Sequence, residues 1–231
     1  MSGTDDDRII LCQPDSFKGC SLCCGLFNFR DVTAYFLSEF LEEGKDREKT
    51  YSTYKNFISP HDVRDKFAHI CPYQGFLSDG KPGCLIHPLS CGDEGRGRSL
   101  FASKICSDFF CPAHRILTDE EKFFLIENVS GWYHYSAAIA DPESYSFIYN
   151  YVSDNFRKTG KNDSDNLDLI KLLVNEGLSA HGENLASYDE VIFCYSEPEY
   201  NLNKKNFCIK YISEKRDLVV SRIMVMASAF K

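Results

Sequence analysis

Long apolar runs are missing from this chain. Nowhere do about 18 consecutive apolar residues occur, the length needed to span a bilayer, so no membrane-spanning helix is expected. The first residues, MSGTDDDR, are acidic and hold no apolar h-region. That argues against a signal peptide and for the cytoplasm. Excess positive charge is also lacking. With 26 Lys and Arg against 34 Asp and Glu, the net charge is −8 and the pI about 5.3. A nucleic-acid binder is usually basic, so no nucleic-acid partner is expected. No P-loop, H-E-x-x-H motif, Gly-rich cofactor loop or Ser-His-Asp order is present. Phosphate cradling, helix-borne zinc hydrolysis and triad chemistry therefore have no sequence support. Internal repeats and low-complexity tracts are absent too.

What is there is mostly ordinary. The 231 residues, 43% hydrophobic and 26% charged, suit one or two soluble domains with a real core. Cysteine departs from the ordinary. There are 11, an odd count, and a dense pattern without a secretion signal points to metal or catalysis before disulfides. Nine of them lie between Cys12 and Cys111, where an even scatter would put fewer than half. Cys194 and Cys208 stand apart in apolar settings, as small buried hydrophobes do. The chain thus reads as a cysteine-rich metal-binding region over 1–115 and a mostly helical region over 116–231, packed as one compact unit.

The expected fold is mainly α, with irregular cysteine-rich loops stapled by metal against helices. Apolar positions in VTAYFLSEFLEE follow helical spacing, with Asp31 as cap and Gly44 as stop. A polar connector, GKDREKTYSTYKN, follows. Ser59 and Pro60 suit the start of a short helix through HDVRDKF. From Cys71 to Pro112 the turn residues predict irregular structure. A loop of that length needs something to hold it. Thr118 and Glu121 form a capping-box pattern, and Pro142 opens a further helix. NLDLIKLLVNE, closed by Gly177, and EKRDLVVSRIMVMASAF complete the helical set. Between these two, VIFCYSE and NFCIKYI could pair as a small β-hairpin near the C-terminus.

The thiols fall into two groups. The first is Cys20-x2-Cys23-Cys24, with Cys12 ahead of it. Two thiolates on one tight C-x2-C loop can reach a single ion, because zinc–sulfur bonds are only about 2.3 Å long. Gly19 and Gly25 permit the sharp backbone. Adjacent cysteines point in different directions, so Cys23 and Cys24 do not act equivalently on one metal. The second group is Cys71, Cys84, Cys91, Cys106 and Cys111. A closed tetrahedral site needs four ligands, and the first group offers at most three thiolates close in sequence, so the site is expected to draw on both. A redox dithiol at Cys20 and Cys23 lacks the strand–CxxC–helix setting of thioredoxins. His87 and His114 read as structural histidines rather than ligands, and Arg96 and Arg98 as a solvated turn rather than an anion site.

In motif order, C-x2-CC, then CPYQG, then GCLIHP, then C-x4-CP, residues 12–115 resemble the YkgJ-type zinc- or iron-chelating domain family. The resemblance aligns Cys20, Cys23 and Cys24 with the family's first element, Cys71 with its second, Cys84 and Ile86 with its third, and Cys106 and Cys111 with its tail. His87-Pro88 stands where the commoner pattern has Tyr before Arg-Pro, which leaves Cys91 outside the match. The resemblance implies metal chelation; the expected ligands are Cys20, Cys23, Cys24, Cys71, Cys84, Cys106 and Cys111, with Cys91 added from the second cysteine group and not from the match. It does not imply a reaction. A relative, flagellin lysine N-methylase, has a similar cysteine set and uses S-adenosylmethionine. The alternative to a structural or redox metal protein is therefore a metal-dependent enzyme, such as a protein methyltransferase or an oxidoreductase. Zinc and iron–sulfur clusters both accept four thiolates. The irregular gaps of 12, 6, 14 and 4 residues between the later cysteines favour an iron–sulfur cluster over the evenly spaced knuckles of a zinc ribbon.

Overall fold

The computed structural model describes residues 9–64, 68–99, 106, 110–156, 163–187 and 209–230. The fold is mainly helical, as expected. Helices α1 (Ala34–Glu42) and α2 (Gly44–Thr50) precede an antiparallel hairpin of β1 (Gln74–Phe76) and β2 (Pro82–Cys84), with Gln74 opposite Cys84. Two short helices follow, α3 (Pro88–Cys91) and α4 (Ala113–Ile116). The rest is α5 (Asp119–Asn128), α6 (Trp132–Ala140), α7 (Pro142–Phe156), α8 (Asp163–Ala186) and α9 (Ile209–Ser228). Helix α8 is the hub: α6, α7 and α9 all pack on it. No described helix is long and apolar enough to cross a membrane.

Capping chemistry sets the helix starts. Thr118 Oγ1 accepts from the Glu121 amide at 3.3 Å, and Glu121 Oε2 accepts from the Thr118 amide at 2.7 Å, which satisfies two orphan donors of α5. Asp141 Oδ1 accepts the Ser144 amide at 3.1 Å at the start of α7. Helix α1 is capped by Thr33 instead of Asp31: Thr33 Oγ1 accepts from Phe36, while Asp31 Oδ1 takes the Thr33 amide at 2.8 Å.

Four other expectations are corrected. Gly44 does not end the helical run, and the polar connector opens as α2. Arg47 explains why: its guanidinium lies 3.6 Å over the Phe40 ring and donates to the Phe40 carbonyl and, at 3.1 Å, to that of Gln74. No helix follows Pro60 through residues 61–64, and 65–67 lie outside the described residues. That stretch pairs with the knuckle instead. Arg30 donates to Asp62 at 3.0 Å and Arg64 to Asn28 at 2.9 Å around a Phe29–Val63 bridge, and the His61 ring meets Phe36 edge-on at 5.1 Å. Gly177 lies inside α8 rather than at its end. A Cβ there would stand 2.7 Å from Ile148 Cγ2 and 3.2 Å from Ile223 Cδ1, so glycine lets α7 and α9 approach. The hairpin lies at 74–84, not near the C-terminus. VIFCYSE falls outside the described residues, and residues 209–212 of the second arm are helical.

One main core runs from Leu11 to Ala227 and joins both regions. Leu26, Phe27 and Phe29 of the knuckle, Tyr135 and Ala138 of α6, and Leu173 and Leu178 of α8 are all fully buried in it. Burying a side chain of Leu or Phe size contributes about 1.5–3 kcal/mol, so the cysteine-rich region is held by apolar packing as well as by its backbone. Across the regions, Arg64 Nη2 donates to the Leu185 carbonyl at 2.8 Å and Tyr133 Oη to that of Val32 at 2.9 Å. A second, smaller buried cluster contains Cys71, Tyr73 and Ile86, with Cys24 and Cys84 against it.

Candidate metal centre

The site begins at the turn Leu22–Cys24. Gly25 ends that turn at φ +85°, returning its N–H to the Leu22 carbonyl at 2.9 Å, and its α-carbon faces the His69 carbonyl too closely for any side chain. Glycine is required on both counts. This brings residues 69–71 onto the knuckle. His69 Nε2 contacts the Cys23 carbonyl at 3.1 Å, Asn28 Nδ2 donates to the His69 carbonyl at 3.0 Å, and Cys71 donates its amide to the Cys24 carbonyl at 2.8 Å. Gln74 clamps the junction from β1, with Nε2 donating to the carbonyls of Cys24 at 3.0 Å and Cys71 at 3.1 Å. Opposite it in the hairpin, Cys84 completes this side.

On the other side, Cys20 donates its amide to the Cys12 carbonyl at 3.0 Å, and Cys20 Sγ accepts from the Leu22 amide at 3.3 Å. The neighbouring Leu11 is fixed at both ends. Its carbonyl accepts from Tyr135 Oη at 2.8 Å, and its amide donates to His114 Nε2 at 3.1 Å. Because Nε2 accepts, a neutral His114 carries its proton on Nδ1. Nδ1 stands 3.3 Å from Cys111 Sγ, so the ring donates to that sulfur. Both ring nitrogens are engaged, and His114 is not a ligand in this arrangement. His87 is also structural: its Nδ1 accepts from the Leu89 amide at 3.2 Å at the start of α3.

Electrostatics tie the thiols together. All nine described cysteines are unpaired. Burial raises the Cys12, Cys20 and Cys111 thiols, Cys111 up to about 12, and the charges of Cys23 and of one another raise them further. Burial likewise pushes Cys84 up to about 12, with Cys71, Cys23 and Cys106 adding to it. Cys106 is raised by burial against a Ser99 hydroxyl at 3.3 Å. Cys24 is raised chiefly by its hydrogen bonds to Cys23 and Cys71. Cys23 is the exception: the Cys24 thiol donates to its sulfur and holds it below the ordinary thiol range. Thiolates resist burial unless charge or metal compensates them.

Of the eight cysteines expected as ligands, Cys20, Cys23, Cys24, Cys71, Cys84 and Cys111 lie on segments that hydrogen bonds tie to one another, and Cys106 stands 3.3 Å from the Ser99 hydroxyl. Cys91 is not among them. It is exposed at the end of α3, its Sγ donating to the carbonyls of Asp93 at 3.1 Å and His87 at 3.4 Å. Cys12, which spacing alone left open, joins the set. Cys194 and Cys208 lie outside the described residues. Arg96 forks onto Glu94, with Nε 2.8 Å from Oε1, and Arg98 is spent on Glu48 and the carbonyls of Tyr51 and Ser52. Neither forms an open anion site. A cavity of about 480 Å³ lies beside the hairpin, lined by Gln13, Lys45, Glu48, Leu77, Asp79 and Lys81 among others, and none of these thiols lines it. Among the described residues, no group of three or more His, Cys, Asp or Glu side chains is placed to hold a single metal ion.

The chain matches no family model, no curated protein and no solved structure. The likeness to the YkgJ-type family therefore rests on cysteine spacing alone.

Proposed function

We propose that this chain is a cytoplasmic metal-binding protein that holds iron–sulfur through its clustered cysteines, in a structural or redox role. One observation carries the reading: hydrogen bonds of the backbone, Gln74 and His114 tie together the segments that hold Cys12, Cys20, Cys23, Cys24, Cys71, Cys84 and Cys111, and all of these thiols are unpaired. Iron–sulfur is favoured over zinc by the irregular gaps of 12, 6, 14 and 4 residues between the later cysteines, which do not repeat the evenly spaced knuckles of a zinc ribbon. An iron–sulfur cluster supplies one-electron transfer and a cross-link between distant segments.

The test is anaerobic purification without chelator, followed by iron, zinc and acid-labile sulfide analysis and a visible spectrum. Iron with matching sulfide, and broad absorption that bleaches on reduction, supports the reading. Stoichiometric zinc in a colourless protein replaces iron with zinc. Metal near zero, with the thiols found as disulfides, overturns the proposal.

A further inference from the structure

We infer that Arg47 is the fixed counter-charge of the metal centre, a buried guanidinium held against the Cys71 segment to balance the negative charge that thiolates bring there. The inference rests on the metal-binding reading above and needs only that Cys71 be one of the ligands.

Burial sets the problem. Arg47 is 8% exposed, and a buried charge is costly unless it is paired. Its described neighbours supply little charge. Two carbonyls accept from Nη2, that of Phe40 and, at 3.1 Å, that of Gln74. The Phe40 ring lies 3.6 Å from the guanidinium carbon. Glu43 reaches Nη1 with one oxygen at 3.4 Å, and its side chain is 64% exposed. Arginine commonly takes a carboxylate through two parallel bonds, and a solvent-screened carboxylate offsets little of a buried charge.

One atom is left over. Arg47 Nε is buried and meets no acceptor among the described residues. A tie between α2 and β1 needs only the two carbonyl bonds. It needs neither a full charge nor a spare donor. An anion on the protein side accounts for both.

Cys71 is placed to be that anion. Arg47 holds the main chain of Gln74, and the Gln74 side chain holds the carbonyls of Cys24 at 3.0 Å and Cys71 at 3.1 Å. The backbones are close as well: a Cβ on Gly44, at the start of α2, would stand 2.5 Å from the Gln74 carbonyl oxygen. Cys71 itself is buried, packed with Tyr73 and Ile86. Burial pulls the Arg47 guanidinium down to about 10, and the charges of Glu43, Cys71 and Tyr51 act against that fall. A metal held by thiolates brings negative charge that must be balanced, and the charge and hydrogen bonds around the sulfurs tune its affinity and potential. Arg47 acts through Cys71 and is a positioning residue.

The experiment uses the full chain, prepared anaerobically, as native protein, Arg47→Gln and Arg47→Lys. Glutamine keeps donors for the carbonyls and loses the charge; lysine keeps the charge. Metal per chain, metal affinity by competition with a chelator and reduction potential are measured, with thermal unfolding alongside. Arg47→Gln is expected to lose about 10–100-fold in metal affinity, the usual effect of removing an outer partner of a ligand, and to be reduced at a more negative potential. Arg47→Lys is expected to keep affinity and potential near native, although it unfolds earlier. In a zinc protein, affinity alone decides. Unchanged affinity and potential in Arg47→Gln, with only the melting midpoint lowered, overturns the inference and leaves Arg47 a structural tie. An equal fall in both variants overturns it too. Native protein without metal overturns the metal reading itself, and the counter-charge with it. Should Arg47→Gln fold poorly, Arg47→Met, which packs on Phe40 without charge, replaces it.

Discussion

Replacing Tyr135 with Phe should destabilise the protein by about 1–3 kcal/mol, and the structure says why that figure and not more. Tyr135 is fully buried, and so is Leu11. The substitution removes one atom, Oη, which donates to the Leu11 carbonyl at 2.8 Å. The ring stays, so its packing against the core is kept and no large cavity opens. What remains is a buried carbonyl without its donor, and that desolvation penalty is about 1–3 kcal/mol. A domain is stable by only about 5–15 kcal/mol, so the loss is a large share of the total. For a chain of this size, about 1 kcal/mol moves the melting midpoint by about 2–4 °C.

The assay is paired thermal and urea unfolding of native and Tyr135→Phe protein, prepared identically. A lower midpoint with an unchanged urea slope is expected. The same bond also fixes Leu11 between α6 and His114, next to Cys12. Loosening it should therefore speed metal loss to a chelator. A midpoint within about 1 °C of native would refute the reasoning. It would mean that Leu11 finds another donor or water, and that this bond does not anchor the first thiol.

Other outcomes follow from the same geometry. Cys91→Ser should leave iron and sulfide per chain unchanged, because the thiol is exposed and satisfied by the carbonyls of His87 and Asp93; a loss of metal would put Cys91 back among the ligands. Arg96→Gln should lower the reduction potential of an iron–sulfur centre bound through Cys84 and Cys106, since their charges act on Arg96; an unchanged potential in a redox titration would contradict it. Asp141→Asn should lose about 1.5–3 kcal/mol at neutral pH, the contribution of hydrogen bonds to a charged group. Asp141 is buried, accepts Ser144 Oγ at 2.7 Å, and has His181 Nε2 3.2 Å away, close for charge though off the line of a hydrogen bond. These partners hold its carboxyl below the usual range despite burial, so its contribution is full above the unfolded value near 3.9 and is lost as pH falls through the folded one. Urea midpoints of the two proteins should converge below about pH 3.9; a constant gap at every pH would count against the carboxylate.

Local chemistry made part of the fold legible. The capping box at Thr118 and Glu121, and Pro142 at the head of α7, need only neighbours in sequence, and both are found where expected. Readings that depended on distant partners failed. Gly177 looks like a stop until Ile148 and Ile223 are beside it. The residues after Pro60 look helical until Phe29 and its neighbours offer them a bridge and an aromatic pocket. Helix α6 has Gly131 ahead of it and no side-chain cap, so nothing local announced it.

The candidate site shows the same limit in sharper form. Spacing picks out a cysteine-dense segment, but it cannot see which way a thiol faces. Cys91 lies between Cys84 and Cys106 in sequence and would pass as a ligand on spacing alone. Its place at the end of α3, before Gly92 at φ +85°, turns it to solvent. Cys12 stands outside the C-x2-CC motif and is easily set aside. Yet its carbonyl takes the Cys20 amide, and it follows a leucine pinned by Tyr135 and His114. Neither Tyr135 nor His114 lies within 100 residues of Leu11 in sequence, so no local pattern could have joined them. The exchange of Cys91 for Cys12 keeps the count at eight and changes its meaning. With Cys91 counted, the first segment gives three thiolates and the second five, which suits one site with spares. With Cys12 instead, each segment gives four. A metal held by thiols of both segments would cross-link them, so its loss should loosen the whole cysteine-rich region rather than one loop of it.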